Sequence, residues 1–157
     1  MELNQNEQLE VQVAENIVTE QPVKPVKTGK DKAIGAFSKV FAIIGFLLAV
    51  GCMIAITYLT LMYNINYGMK TITSQAQLTE FLAVADTYKG YAITIIYTSL
   101  PAIVCGIVAL ILNKIQAKKG FNCTFVKVFG IIAIAVACLA IANCGLNYYL
   151  FGRYRYL

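Results

Sequence analysis

The sequence contains no histidine and no tryptophan, and only 13% of its 157 residues are charged. Without histidine, the chain lacks the commonest general base and the commonest ligand of transition metals. A soluble domain usually has about a quarter of its residues charged, so this chain has about half of the usual share. These shortages disfavour a soluble enzyme and a histidine-based metal centre.

Charged residues are missing altogether from three long stretches of the chain. Val40–Met69, Gly90–Asn113 and Val128–Gly152 contain no Asp, Glu, Lys or Arg over 30, 24 and 25 residues. Roughly 20 apolar residues suffice for a helix to cross the hydrocarbon layer of a bilayer. The helices of a soluble bundle would need polar faces, which Phe41–Thr60 and Ile131–Ala142 lack. The sequence therefore predicts an all-α integral membrane protein.

Two parts of the chain differ in composition. Residues 1–33 are polar and hold few large apolar side chains. Because such a segment cannot bury enough apolar surface to offset its ordering entropy, we predict a disordered cytoplasmic tail. Residues 34–157 are predicted to form a membrane domain with three transmembrane helices. The spans are expected at about 40–63, 91–113 and 125–149.

A short interfacial helix is predicted in the outer loop between the first two spans. Ser74 is placed to cap its first turn. Apolar residues recur at helical spacing after it, namely Leu78, Phe81, Leu82 and Ala85. A one-sided apolar stripe of this kind is typical of a helix that lies on a membrane surface or folds back over a bundle.

The basic residues predict the orientation of the spans in a plasma membrane. Lysine and arginine collect on the cytoplasmic side of short loops. Nine of the thirteen basic residues lie before the first span or around the loop between spans two and three: Lys24, Lys27, Lys30, Lys32, Lys39, Lys114, Lys118, Lys119 and Lys127. We therefore expect a cytoplasmic N-terminus and an extracytoplasmic C-terminus.

The net charge of +5 does not indicate a nucleic acid partner. The lysines lie mainly beside the uncharged runs, where they orient helices or meet anionic lipid headgroups. Tyrosine is absent from the predicted inner side, and all ten tyrosines fall in the outer halves of the spans or beyond. That distribution is typical of an aromatic belt at the headgroup level.

No catalytic or cofactor pattern is found in the sequence. Glycine-rich phosphate-binding motifs are missing, and apart from Lys127 at the inner end of the third span, no ionisable carboxylate or amine lies inside a predicted span. Glu80 and Asp86 in the outer loop are interpreted as solvated surface charges. The five cysteines include no C-x-x-C pair and are interpreted as small apolar residues. We expect no catalytic residue, no metal and no cofactor.

Small residues inside the spans are the strongest candidates for contacts between helices. Several are four residues apart, a spacing that lets helix backbones approach closely in lipid. The residues predicted to pack are Gly45, Ala49, Gly51, Ala102, Gly106, Ala133 and Ala137. The alternative interpretation is that glycine and alanine are simply common in membrane helices.

Three further residues stand out within the spans. Pro101 is predicted to kink the second helix, because proline removes one backbone hydrogen bond and crowds the carbonyl of Tyr97. Asn143 and Asn147, one turn apart in the third span, are predicted to make polar contacts with another helix. The alternative is that they line a polar path in an oligomer.

Three segments resemble small, uncharacterised multi-span membrane proteins of Gram-positive-type bacteria. They are Gly106–Lys114, the Lys118–Gly120 loop and Gly130–Ala135, which together cover part of the second and third spans. The resemblance implies a bacterial inner membrane and no assigned activity.

These observations favour a non-enzymatic structural or accessory protein that acts through contacts between helices. Its expected partners are the lipid bilayer and either itself or a larger membrane protein. The alternative is a channel or transporter component, which would have to oligomerise because three spans are too few to enclose a pathway. A membrane enzyme would instead need a cluster of polar groups at one interface.

Overall fold

The computed structural model describes residues 26–68 and 71–151, which form three α-helices. They are α1 (Gly29–Tyr67), α2 (Gln75–Ala117) and α3 (Thr124–Leu150). Each is long and apolar enough to cross a membrane. The predicted all-α fold with three helices of spanning length is therefore confirmed for the described residues.

The first helix begins earlier than the sequence predicted. Thr28 and Asp31 form a capping box, in which the Thr28 hydroxyl accepts from the Asp31 amide at 3.3 Å. The Asp31 carboxylate in turn accepts from the Thr28 amide, also at 3.3 Å. These bonds satisfy backbone donors that a helix start leaves open, so the helix includes residues assigned to the tail. The rest of the predicted disordered tail, up to residue 25, lies outside the described residues.

Among the described residues of the outer loop, the predicted interfacial helix is not separate from the second span. Ser74 does cap a helix start, its hydroxyl accepting from the Gln77 amide at 3.3 Å. That helix continues without interruption to Ala117, so the predicted segment forms the first turns of α2. Residues 75–89 contain no glycine or proline, and Gly90 alone does not end the helix. Phe81 and Ala85 are buried, because this segment packs along the bundle instead of lying apart from it.

The helices differ in length. The two longer helices, α1 and α2, extend beyond their uncharged runs at opposite ends of the bundle. At a rise of about 1.5 Å per residue, α1 and α2 are about 58 and 64 Å long, whereas α3 is about 40 Å. The charged part of α1, Gly29–Lys39, extends beyond its uncharged run on one side. The polar first turns of α2, Gln75–Lys89, extend beyond its uncharged run on the other side.

Each helix turns a narrow row of mostly small residues towards the other two. In α3 the buried residues recur with alternating steps of four and three: Val126, Gly130, Ala133, Ala137, Ala140, Cys144 and Asn147. In α1 the same steps relate Ser38, Ala42, Gly45, Ala49, Cys52 and Ile56. A repeat of 3.5 residues keeps one seam of each helix facing its neighbours and favours a left-handed supercoil.

The large apolar side chains lie on the outside of the bundle. Leu47, Ile54, Val104 and Leu139 are each more than half exposed, whereas Ala49, Ala102 and Ala137 at the centre have no exposed area. A soluble protein buries its large aliphatic residues. The reverse arrangement suits a bundle whose outer surface is covered by lipid tails.

Candidate functional site

The two ends of the bundle carry different side chains, and we name them accordingly. The lysine end holds the start of α1 and the loop between α2 and α3, with Lys27, Lys32, Lys39 and Lys119. The aromatic end holds the end of α1 and the start of α2, with Tyr63, Phe81, Tyr88 and, after α3, Phe151. Small residues fill the seam between these ends.

The seam between α1 and α2 is closed at Gly45. A Cβ atom on Gly45 would lie 3.1 Å from the Ala102 carbonyl oxygen and 3.1 Å from the Cys105 Cβ. One turn further, Ala49 and Ala102 meet Ala137 of α3 in a cluster that has no exposed area. The axis of the bundle is therefore filled by side chains at this level.

The seam between α2 and α3 is tightest at Gly106. A Cβ atom there would lie 2.8 Å from Ile134 Cγ1 and 3.0 Å from the Gly130 carbonyl oxygen. Gly130 faces the same contact, with Leu110 at 3.1 Å from its own hypothetical Cβ. Ala133, one turn along α3, has no exposed area. Only glycine leaves room for the two backbones here.

Gly51 does not share in this packing. It lies on the exposed surface of α1, and nothing outside the local helix lies within 4 Å of a Cβ built on it. Ala55, four residues later, is exposed as well. The structure therefore brings together six of the seven residues predicted to pack and leaves Gly51 on the outer face.

Pro101 lies on the exposed face of α2, inside an unbroken helix. The neighbouring hydroxyls bond one turn back, with Ser99 Oγ donating to the Ile95 carbonyl at 2.8 Å and Thr98 Oγ1 donating to the Thr94 carbonyl at 3.1 Å. The bend expected at Pro101 stays a prediction.

The two asparagines of α3 bond to each other. Asn147 Nδ2 donates to Asn143 Oδ1 at 2.6 Å and to the Asn143 carbonyl at 2.9 Å. These hydrogen bonds lie within one helix, and the polar contacts of Asn143 and Asn147 with another helix stay a prediction. The spacing of four residues places the two side chains one turn apart, where Asn147 Nδ2 reaches both oxygen atoms of Asn143. Asn147 is nonetheless buried, at 3% exposure.

At the lysine end, polar contacts join the start of α1 to the end of α2 and the loop after it, and the sequence did not predict them. Lys119 Nζ lies 2.7 Å from Asp31 Oδ1, and the Asp31 side chain is almost fully buried. Gln116 Nε2 donates to the Asp31 carbonyl oxygen at 2.6 Å. Asp31 thus connects the start of α1 to the end of α2 through both its side chain and its backbone.

The charge of Asp31 is stabilised by its neighbours. Hydrogen bonds from Lys119 and then from Thr28 lower the pKa of the Asp31 carboxyl from 3.8 to about 2. A carboxylate that accepts such bonds is favoured over its protonated form. Asp31 is therefore ionised over the whole ordinary pH range and keeps Lys119 in place.

Two further buried polar groups tie helices together near this end. Asn113 Oδ1 accepts from the Cys123 amide at 3.0 Å, which fixes the start of α3 to the end of α2. Ser38 Oγ donates to the Ala109 carbonyl at 3.1 Å, which joins α1 to α2. Among the described residues, every buried side-chain nitrogen and oxygen atom has a hydrogen-bond partner.

The aromatic end is held by contacts between rings. The Tyr63 ring centroid lies 4.5 Å from that of Phe151 and 5.2 Å from that of Tyr88. Phe81 completes the cluster at 6.4 Å from Tyr63. Tyr63, Phe81 and Phe151 are each less than a tenth exposed. Tilted and edge-on pairs at such distances add to the stabilisation from burial.

Two of the open cavities formed by the described residues lie at opposite ends of the bundle. One of about 550 Å³ lies between α1 and α2 at the aromatic end and is lined by Tyr58, Tyr67, Tyr88 and Tyr91 among others. The other, of about 540 Å³, lies at the lysine end. Within the described residues, no group of three or more cysteine and acidic side chains is placed to hold a metal.

Comparison with known proteins adds no relative: no protein-family model matches the chain, and searches of curated proteins and of solved structures found no significant match.

Proposed function

We propose that this protein is a non-enzymatic structural or accessory subunit of a plasma membrane, acting through contacts between its helices and those of a second copy or a larger membrane protein. One observation carries the proposal. The interior of the bundle is occupied by small side chains at Ala49, Ala102 and Ala137, and the buried polar side-chain atoms of the described residues already have partners. The surface left for interaction is therefore the outer one.

Several polar groups of the described residues have structural roles that need no substrate. Asp31 and Lys119 pair with each other, Asn113 binds the start of α3, and Asn143 and Asn147 bond together. Glu80 and Asp86 are exposed, as expected of surface charges. A catalytic site would instead need convergent polar groups around a space that a substrate can enter.

For the orientation, we propose a cytoplasmic N-terminus and an extracytoplasmic C-terminus in a bacterial plasma membrane. Support comes from the distribution of lysine and from the pairing of Asp31 with Lys119, which requires the N-terminal segment and the second loop to share one side. A reporter that is active only in the cytosol, fused after Leu157, should be inactive. Activity of that fusion would overturn the orientation.

Cys138 offers a native probe of the outer surface, since it is exposed on α3 within an uncharged run. In isolated membranes, a bifunctional thiol crosslinker that partitions into lipid should join the protein to a second copy or to one larger partner. The Cys138→Ser variant is the matched control and should lose the product. A chain that stays uncrosslinked under these conditions, with probes also placed at Leu47 and Val104, would contradict the proposal.

The same residue distinguishes the channel or transporter alternative. Because the axis of one bundle is filled, a water path would have to run between copies, along surfaces such as the one that carries Cys138. Rapid labelling of Cys138 by a charged, membrane-impermeant thiol reagent would favour that alternative. Protection of Cys138 is the result expected of an accessory subunit, because a charged reagent does not enter the hydrocarbon layer.

A further inference from the structure

The cavity at the lysine end is lined by several lysines. It opens between the first turns of α1 and the loop that joins α2 to α3, with a volume of about 540 Å³. Lys27, Lys32 and Lys39 line it from the N-terminal side. Gln116 and Cys123 line it from the other side.

Within the described residues, the positive charge of this cavity is neutralised only in part. Asp31 also lines the cavity and is the only acidic residue at this end of the described chain. Its carboxylate is already bound, with Oδ1 at 2.7 Å from Lys119 Nζ and Oδ2 at 2.6 Å from Thr28 Oγ1. Among residues 26–68 and 71–151, Lys27, Lys32 and Lys39 therefore line the cavity without a carboxylate partner.

The position of the cavity along the helices matches the headgroup level of a bilayer. Lys39 directly precedes the uncharged run of α1, so the hydrocarbon layer begins at its next residues. The lining also includes the apolar Ala36 and the ring of Phe121, which lies 5.1 Å from Lys27 Nζ. A ligand here would meet cationic groups on the water side and apolar groups towards the lipid.

We propose that this cavity binds the phosphate group of an anionic phospholipid, with Lys27, Lys32 and Lys39 as its charged contacts. Basic pockets between transmembrane helices are suited to anionic headgroups, and each lysine near such a surface adds to the attraction. This binding goes beyond the accessory role proposed above, because it makes the lysine end depend on the lipid composition. Neutral, zwitterionic headgroups would bind less well, since their phosphate is offset by an attached cation.

Cys123 makes the binding measurable. It lines the cavity and is partly exposed, whereas Cys52 and Cys144 are buried and Cys105 and Cys138 lie inside uncharged runs. The full chain would be placed in nanodiscs of phosphatidylcholine, with or without replacement of about a fifth of the lipid by phosphatidylglycerol. The rate of Cys123 alkylation by an uncharged, water-soluble maleimide would then be followed by peptide mass spectrometry.

We expect phosphatidylglycerol to slow alkylation of Cys123 at least threefold, to an extent set by its occupancy of the cavity. The double variant Lys32→Gln with Lys39→Gln should remove this protection. Lys114→Gln with Lys118→Gln is the matched control, since it removes the same charge from the same end but from residues outside the lining. The control should keep the protection, and both double variants should keep the helix content of the native chain.

Three results would overturn the proposal. Equal loss of protection in both double variants would assign the effect to diffuse surface charge. Equal protection by phosphatidylcholine alone would show that anionic lipid is not required. Protection of Cys123 by inorganic phosphate in phosphatidylcholine nanodiscs would make a soluble phosphate, instead of a lipid, the ligand of the cavity.

Discussion

At the lysine end of the bundle, Asp31 pairs with Lys119 at 2.7 Å and Gln116 binds the Asp31 backbone. At the aromatic end, the rings of Tyr63 and Phe151 lie 4.5 Å apart and no ion pair joins the helices among the described residues. The first set of contacts is directional and charged, and the second depends on burial and shape. The same three helices are thus held together by two kinds of interaction, which should respond differently to pH and to loss of side-chain volume.

The small residues packed between the two ends should contribute most to the stability of the bundle. The contacts at both ends depend on the close approach of the helices there. Replacing Gly106 by leucine would force a side chain into Ile134 and the Gly130 carbonyl, and should destabilise the bundle by about 3 kcal/mol. The control is Gly51→Leu on the exposed face of α1, which should be neutral or slightly stabilising. Unfolding in mixed detergent micelles would measure both. A Gly106→Leu variant as stable as Gly51→Leu would show that the helices do not pack as described.

Removal of the Phe151 ring should weaken the aromatic end alone. Phe151 is only 2% exposed, so Phe151→Ala should cost about 2 to 3 kcal/mol through lost burial and ring contacts. Tyr149 is 80% exposed, and Tyr149→Ala should change stability by less than about 0.5 kcal/mol. Hydrogen exchange should rise near Tyr63 and Phe81 and stay unchanged near Gln116. Equal loss of protection at the two ends would mean that they do not act separately.

Acid should destabilise the lysine end and leave the aromatic end unchanged. The pKa of Asp31 is lowered from 3.8 to about 2, so the stabilisation from its charge is complete above about pH 3.8 and is lost as the pH falls towards 2. The protection factors of the first turns of α1, which are hydrogen-exchange rates corrected for the intrinsic effect of pH, should therefore fall over that range. The Asp31→Asn variant should exchange faster already at neutral pH and lose the pH response. Asp86→Asn, at an exposed pair with Lys89, serves as the control and should change neither property.

The smallest effect is expected from two glycine substitutions that compare the ends directly. A Cβ atom on Gly35 would lie 2.9 Å from Gln116 Nε2, so Gly35→Ala should displace the bond from Gln116 to Asp31. That loss of about 1 kcal/mol should cancel the usual gain of alanine over glycine within a helix. Gly90 has open space around it, and Gly90→Ala should stabilise by about 0.5 to 1 kcal/mol. Equal stabilisation by the two variants would show that Gln116 is not held by Asp31.

The sequence predicted the helices because the absence of charge is a local property of the chain. It predicted the ends of the helices less well. The spacing of Thr28 and Asp31 is that of a capping box. It was not predicted, because both residues lie in a polar segment that was expected to be disordered. The continuity of α2 was missed because the amphipathic turns after Ser74 look like a helix of their own until their burial against α1 is known.

The residues that pack between helices were predictable only in part, because the packing depends on how the helices are rotated against one another. Gly45 and Gly51 each lie four residues from an alanine, but only Gly45 faces another helix. Spacing shows that two small residues share a face, and it does not show which face is turned inward. The pairing of Asp31 with Lys119 joins residues 88 positions apart, and its geometry follows from the way the three helices cross.

The unequal lengths of the helices have a consequence for the membrane that surrounds them. At the lysine end, Lys39 and Lys127 mark where the apolar surface begins, and moving them into hydrocarbon would be costly. At the aromatic end, α2 continues for about four turns of mixed polar and apolar surface, and tyrosine tolerates either environment. Hydrophobic mismatch with a thicker or thinner bilayer should therefore be absorbed almost wholly on the tyrosine side.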